Sequence, residues 1–341
     1  MEISGRVVRL ELEEPFTIAR GTETEVEVVQ VEIRHRDVVG LGEGAPIERY
    51  DESAESALHY VDAVDESLGD DPFALDEIFE RLPSEQFAAR AAIDAALHDL
   101  CGKLVGLPAW RLLGLRRAGP PTSWTITLAE PNAMAAAAAR ASDGRFRRLK
   151  LKLGGQDGRD IERIRAVKDA TRLPLQVDVN EAWSADEALD ALPQLAELGV
   201  QYCEQPLSAG DEAGPEVKRR SPLPIYVDED CHTLRDVALC AARAHGINIK
   251  LAKSGGIREA VRMACAARAL GLGVMLGCMI ESGLGIAAGC VVASLCDHVD
   301  LDGNLLLARD PSPGVQLTDG VQLPPREPGL GVHAEAVLDS R

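Results

Sequence analysis

Apolar and polar residues alternate with period two at 6–16 (RVVRLELEEPF) and 25–35 (EVEVVQVEIRH). That period predicts two strands, and residues 38–42 with the following Glu-Gly-Ala-Pro suggest a third. The pattern then changes. Residues 52–68 and 74–82 read as helical, and 86–103 (QFAARAAIDAALHDLCGK) form an Ala-rich helix with a broad apolar face, stopped by Gly106-Leu107-Pro108. The first part of the chain is thus a sheet followed by helices, an α+β unit.

From about residue 121 a different order begins. Strand 123–128 (SWTITL) and helix 131–142 are followed by short apolar runs that alternate with helices at 158–171, 184–198, 211–220, 233–244, 256–270 and 281–295. Charged residues sit at the ends of those runs: Lys152, Asp178, Glu204, Asp228 and Lys253, then Asp302 after a step marked by Gly277. The first five are 26, 26, 24 and 25 residues apart, and Asp302 follows Lys253 by 49. A pitch near 25 is what one strand, one helix and two loops need, and chemistry gathered at successive strand ends marks the C-terminal mouth of a β/α barrel. Eight strands are predicted, the last at 298–302. The proline-rich tail, 308–341, is expected to pack back on the N-terminal unit.

Composition narrows the picture. With 341 residues, one barrel plus a smaller domain is the natural division. Aromatics make up 4%, so Ala, Leu, Val and Ile must build the core. The net charge of −19, with no offsetting basic patch, argues against nucleic acid as a partner. The start of the chain lacks a signal-peptide pattern and no apolar run reaches membrane length. Eight cysteines without a CxxC fit small buried side chains in a reducing cytoplasm. The glycine clusters at 154–158 and 271–273 lack the Lys-Ser/Thr of a phosphate loop.

Alternation in Arg148-Leu149-Lys150-Leu151-Lys152-Leu153 gives a strand with one packed and one wet face, crowding two ammonium groups at its end. Alone, it reads equally as an exposed edge strand. Asp178, Glu204 and Asp228 on neighbouring strands are hard oxygen donors without Cys or His, a set that selects Mg²⁺. Read singly, each acid also suits a helix cap. Lys152 and Lys253 lie four strands apart, facing each other across an eight-stranded ring. Two opposed lysines around a metal suit removal and return of a proton α to a carboxylate through an enediolate. Lys150 would sit by the enolate oxygens. Lys250, Asn180 and Glu229 support the acids, and Thr125 faces the mouth.

The order KxK, DxN, EQP, DE and KxxKSGG, with ARAAIDAALHDLCGKLVGLPAWRLLG before the barrel, resembles the muconate-lactonizing subgroup of the enolase superfamily, and within it the dipeptide epimerases of the L-Ala-D/L-Glu type. The resemblance implies an enolase-like α/β fold: a (β/α)7β modified TIM barrel (116–310), an α+β capping domain (1–115) and a tail (311–341). It implies one Mg²⁺ on Asp178, Glu204 and Asp228, with Lys152 and Lys253 as the acid/base pair. N-acylamino acid racemases, o-succinylbenzoate synthases and cycloisomerases share these motifs. Asp300 and Asp302 discriminate, since two acids at the mouth would pair with a dipeptide's α-ammonium group. For the side chain, the expected loop 16–22 offers Arg20 to an acidic residue, unless Arg20 pairs with Glu23 or Glu25. Met279 and Ile280 line the same region, and Glu281 there would favour a cation. A cytoplasmic homo-oligomer, free of membrane, is expected.

Overall fold

The structure, a computed structural model, describes residues 1–333; the remaining part of the tail, 334–341, lies outside the described residues. The chain opens with an antiparallel sheet of β1 (Glu2–Ile18), β2 (Gly21–His35) and β3 (Val38–Gly44) in that order. Helices α1 (Ala54–Ala63), α2 (Leu75–Arg81), α3 (Phe87–Val105) and the single turn α4 (Ala109–Leu112) follow. The barrel then runs β4 (Trp124–Ile126), α5 (Pro131–Ala141), β5 (Leu149–Lys152), α6 (Asp160–Ala170), β6 (Leu175–Asp178), α7 (Ala185–Glu197), β7 (Val200–Glu204) and α8 (Gly214–Arg220). It continues β8 (Ile225–Val227), α9 (Leu234–Cys240), β9 (Gly246–Ile249), the single turn α10 (Leu251–Ser254), α11 (Ile257–Ala269), β10 (Gly273–Leu276), α12 (Gly283–Val292) and β11 (His298–Val299). A small hairpin, β12 (Gln316–Thr318) and β13 (Val321–Leu323), lies in the tail.

Strands β4 to β11 are neighbours in chain order and pair in parallel. The ring closes where Thr122 bridges Val299 in parallel and the Ser123 N–H donates to the Val299 carbonyl at 2.9 Å. This is the β/α barrel that the 25-residue pitch implies, in the (β/α)7β form that the resemblance implies. One expectation needs correcting: the face of β5 carrying Lys150 and Lys152 is not wet. Lys150 is 1% and Lys152 7% exposed, because in a closed barrel the polar face of a strand turns inward while Leu149 and Leu151 pack under the helices.

The capping sheet is held to its long helix by a row of glycines. Gly40, Gly42 and Gly44 alternate on β3 and face the α3 carbonyls of Ala96, Ala92 and Ala88; a Cβ at each would lie about 2 Å from those oxygens. The backbones therefore approach more closely than any larger residue allows. α3 is buried almost all round, which explains its weak amphipathic signal. Its Asp99 accepts from the Leu41 N–H of β3 at 2.8 Å and, with its other oxygen, from the Leu330 N–H of the tail at 2.7 Å. The tail meets the chain again just past this helix, where the Gly329 N–H donates to the Leu107 carbonyl. Among the described residues no helix is long and apolar enough to cross a membrane.

Gly42→Ala is expected to cost at least about 2 kcal/mol, because backbone on both sides prevents relaxation. Gly21→Ala, where a Cβ meets nothing within 4 Å, is the control and should be near neutral. Thermal denaturation of the two variants checks this.

Candidate active site

Strand register assembles the site. Lys152 of β5 pairs with Asp178 of β6, and Asp178 with Glu204 of β7, so the three form one row across the barrel end. One layer deeper, Thr125 pairs with Lys150 and Lys150 with Gln176. Asp228 lies one residue past β8. Lys253 was expected at a strand end but rides on α10, a single helical turn just after β9. The turn folds its ammonium group back on the barrel, where it donates to the carbonyls of Asp228 at 2.6 Å and Asn248 at 3.0 Å.

The result is a buried lattice of lysines and carboxylates. Lys152 Nζ stands 2.7 Å from Asp178, and Lys253 Nζ 2.5 Å from Asp228 Oδ1. Lys250 Nζ is 2.8 Å from Asp228 Oδ2, the carboxylate partnership expected of it. Lys150 Nζ bridges three acids, Asp300 at 2.7 Å, Glu204 at 2.8 Å and Asp178 at 3.1 Å. Burial works against its charge, yet Asp178, Asp300 and Glu204 hold the Lys150 pKa well above the ordinary lysine value. Burial likewise works against the Asp178 and Asp228 charges, but Lys150 and Lys152 at the first and Lys250 and Lys253 at the second hold both well below the carboxylate range. Glu204 differs: burial and the neighbouring Asp178 push it up.

Among the described residues no three side chains form a ready-made metal cage, because ammonium groups stand between the carboxylates. The donor set nonetheless fits a hard divalent ion. Asp178, Glu204 and Asp228 are all but fully buried oxygen donors on consecutive strand ends. Glu204 Oε1 accepts from Asn248 Nδ2 at 2.7 Å, while its Oε2 is buried 2.8 Å from the Lys150 ammonium, which it shares with Asp178 and Asp300. A divalent cation would add positive charge beside a carboxylate that burial and Asp178 raise despite its share of Lys150.

Above the lattice opens a cavity of about 720 Å³ between the cap and the barrel mouth. Thr125, Lys150, Lys152, Asn180, Lys250, Asp300, Asp302, Met279 and Arg20 all line it. Asp300 and Asp302 were expected on the last strand; β11 ends at Val299, and both acids follow it. Asp302 Oδ2 accepts from the Thr125 N–H at 2.7 Å, while Asp300 Oδ1 is buried without a partner. Burial and the adjacent Asp300 push the Asp302 carboxyl up to about 7.

The expected loop 16–22 is instead the end of a hairpin: Phe16 pairs with Glu23, Thr17 with Thr22 and Ile18 with Gly21, leaving Ala19 and Arg20 as the turn. Arg20 turns to the barrel rather than to Glu23 or Glu25. Its Nη1 lies 2.8 Å from Glu229 and 3.2 Å from Glu181 and donates to the Asn180 carbonyl. Glu281 does not line the cavity. It is buried against Glu43 of β3, and burial lifts its carboxyl to about 8. His232 meets the edge of Tyr50, and His298 packs between Tyr202 and Tyr226, so neither lines the cavity.

Sequence reading missed Asn248, although it shares a strand face with Lys250, and missed the role of Gln205. Gln205 Oε1 accepts the N–H groups of Asp228 at 2.9 Å and Glu229 at 3.1 Å, fixing the loop after β8. Glu181 also went unseen; it receives a two-pronged bond from Arg49 of the cap.

Comparison with known proteins decides the family. Residues 2–114 match the N-terminal domain of mandelate racemase/muconate lactonizing enzymes, and 133–336 match the enolase C-terminal domain-like family. The chain belongs to the mandelate racemase/muconate lactonizing enzyme family. The chain is 38% identical over 331 residues to the L-Ala-D/L-Glu epimerase of Bacteroides thetaiotaomicron, covering 95% of this chain and 85% of that protein. The dipeptide epimerase of Enterococcus faecalis, solved with Mg and L-Leu-L-Tyr, superposes with a TM-score of 0.91 at 32% identity, covering 97% of this chain and 98% of that one. The muconate lactonizing enzyme of Pseudomonas fluorescens, solved with muconolactone, gives 0.92 at 32% identity, covering 98% and 96%. Membership of the mandelate racemase/muconate lactonizing family thus spans more than one reaction, and the residues at the mouth must carry the distinction.

Glu281→Gln is expected to raise the melting temperature by a few degrees at pH 8 and by little at pH 5. The sign follows from the raised pKa: the protonated acid belongs to the fold, and its contribution is lost as pH rises from the ordinary glutamate value through about 8. Melting curves at the two pH values check it.

Proposed function

We propose that the chain is a Mg²⁺-dependent dipeptide epimerase, inverting the α-carbon of the C-terminal residue of a dipeptide by 1,1-proton transfer, as from L-Ala-L-Glu to L-Ala-D-Glu. The carrying observation is the pair Asp300 and Asp302: two buried acids at the cavity floor, one oxygen of Asp300 without a partner. A free α-ammonium group answers both. An N-acylated amino acid or a muconate would leave them unpaired.

Asp178, Glu204 and Asp228 would hold the ion, which when bound draws charge from the substrate carboxylate and acidifies the neighbouring C–H. Lys152 and Lys253, on β5 and after β9, reach the α-carbon from opposite faces. The unprotonated one takes the α-proton, and the bonding pair moves into the carboxylate as an enediolate. The ammonium of the other returns a proton to the far face. Lys150, charged under the influence of its three acids, balances the enediolate oxygens. Residues 1–115 cap the barrel of 116–310, and the tail from 311 ties back through Leu330 and Asp99. The free thiols and the charge of −19 suit a reducing cytoplasm and a small-molecule substrate.

Proton NMR of L,L-dipeptides in D₂O with Mg²⁺ should show exchange at the C-terminal α-position, abolished by EDTA. Exchange with N-succinyl amino acids and none with dipeptides would overturn the reading in favour of an acylamino acid racemase. Lys152→Met and Lys253→Met should each lower kcat by about 10²–10⁴. Asp302→Asn should lower kcat/KM for dipeptides by about 10² through KM, the loss of one charged hydrogen bond. In the wild type, kcat/KM should fall as pH drops below about 7, where Asp302 takes up its proton. In Asp302→Asn that limb should disappear.

A further inference from the structure

A second cleft, of about 640 Å³, lies on the other side of the Lys253 turn. Its walls are α2 and the start of α3 from the cap, and α10 with the starts of α9 and α11 from the barrel; Ser254 and Gly255, next to Lys253, form part of it. It is separate from the cavity above the lattice, with which it shares no lining residue. The reaction proposed above leaves it without a role.

Three observations define what it would take. Asp94 of α3 is fully buried and lines the cleft. One of its carboxylate oxygens is spent, since Oδ2 accepts from the N–H of Ile257 at 2.6 Å and of Arg258 at 3.2 Å; Oδ1 is buried without a hydrogen-bond partner and calls for a donor. The opposite need lies along α11 and the start of α9. Arg258 and Arg262 both converge on one oxygen of Asp76, a carboxylate on an exposed side chain of α2, and Arg235 at the rim makes no ion pair among the described residues. Arg90 and Arg258 flank the ring of Phe79, which holds their guanidinium groups in place. Four arginines and four carboxylates line the cleft, so its formal charge is balanced.

We propose that this cleft binds a small zwitterion, an α-amino acid or short peptide, with its ammonium group on Asp94 Oδ1 and its carboxylate on Arg262 and Arg235, where Asp76 now stands in for it. A ligand carrying both an ammonium and a carboxylate answers the unpartnered Asp94 oxygen and the unpaired Arg235, and the volume admits a molecule of that size. The ligand would pack against the turn that carries Lys253, on the side away from the substrate.

Calorimetric titration of the full Mg²⁺-loaded chain with L-alanine tests it, with acetate and methylammonium as half-ligands. The expected result is saturable one-to-one binding of L-alanine, weakened at least about tenfold by Arg235→Ala and by Arg262→Ala, and retained in Asp302→Asn. Asp94→Asn, which keeps an acceptor for the two N–H groups, should weaken it similarly; the arginine variants decide the matter should Asp94→Asn fail to fold. No saturation up to roughly 50 mM would overturn the proposal, as would binding lost in Asp302→Asn but kept in the arginine variants, which assigns the ligand to the substrate cavity. Failure here leaves dipeptide epimerisation untouched, because exchange at the α-carbon is measured separately.

Discussion

Everything at the barrel mouth depends on how buried charges are paired. Lys150, Lys152, Lys250 and Lys253 are held within 3 Å or so of Asp178, Glu204, Asp228 and Asp300, and all eight side chains are buried. Removing any one leaves an uncompensated charge in a low-dielectric interior, which is far costlier than losing a surface ion pair. A lattice of this kind is a poor way to gain stability. It is a good way to fix side-chain positions, because Lys150, Lys152 and Lys253 each have two or three oxygens defining their place. Glu204 is where the balance is poorest, since burial and Asp178 raise it despite its share of Lys150, and a divalent ion would answer that.

The cap contributes by closing, not by supplying the lattice. Its β1–β2 hairpin brings Arg20 to Glu229, Arg49 grips Glu181, and Glu43 accepts from the Ser282 N–H at 2.7 Å at the start of α12. Each contact joins the cap to a different barrel loop, so the cavity is walled by both units. On the far side, Asp94 of α3 receives the first N–H groups of α11, directly after the turn that carries Lys253. The placement of one lysine thus depends on a helix that precedes the barrel in sequence. Gly256 permits this approach, with φ of +118° and no room for a Cβ beside Asp94.

The barrel was legible because its period is a counting property. Strand, helix and loops consume about 25 residues whatever their composition, so charged residues at that interval mark strand ends. Strand parity puts Gln176 and Asp178 on one face for the same reason. The errors have physical causes too. Alternation tells that two faces differ but not that the polar one meets water, which is why β5 read as half-wet. Two strand ends were drawn too far: the run through Lys253 passes into a helical turn, and Asp300 and Asp302 follow β11. The strands at 16–22 were drawn too short, because that stretch hides a hairpin whose pairing is a matter of register.

By itself the sequence determined the repeat, the strand order and the identity of the charged groups, since each is set by local periodicity and residue chemistry. Only the tertiary structure decided which charges meet. Arg20 finds Glu229, more than two hundred residues away, instead of Glu25 close by; Glu281 is drawn into the cap interface instead of the cavity; Asp94 reaches across to α11. Those pairings are fixed by the docking of cap on barrel, whose geometry depends on volumes such as the missing side chains of Gly40, Gly42 and Gly44. Packing of that kind is a property of surfaces in contact, and a linear pattern does not encode it.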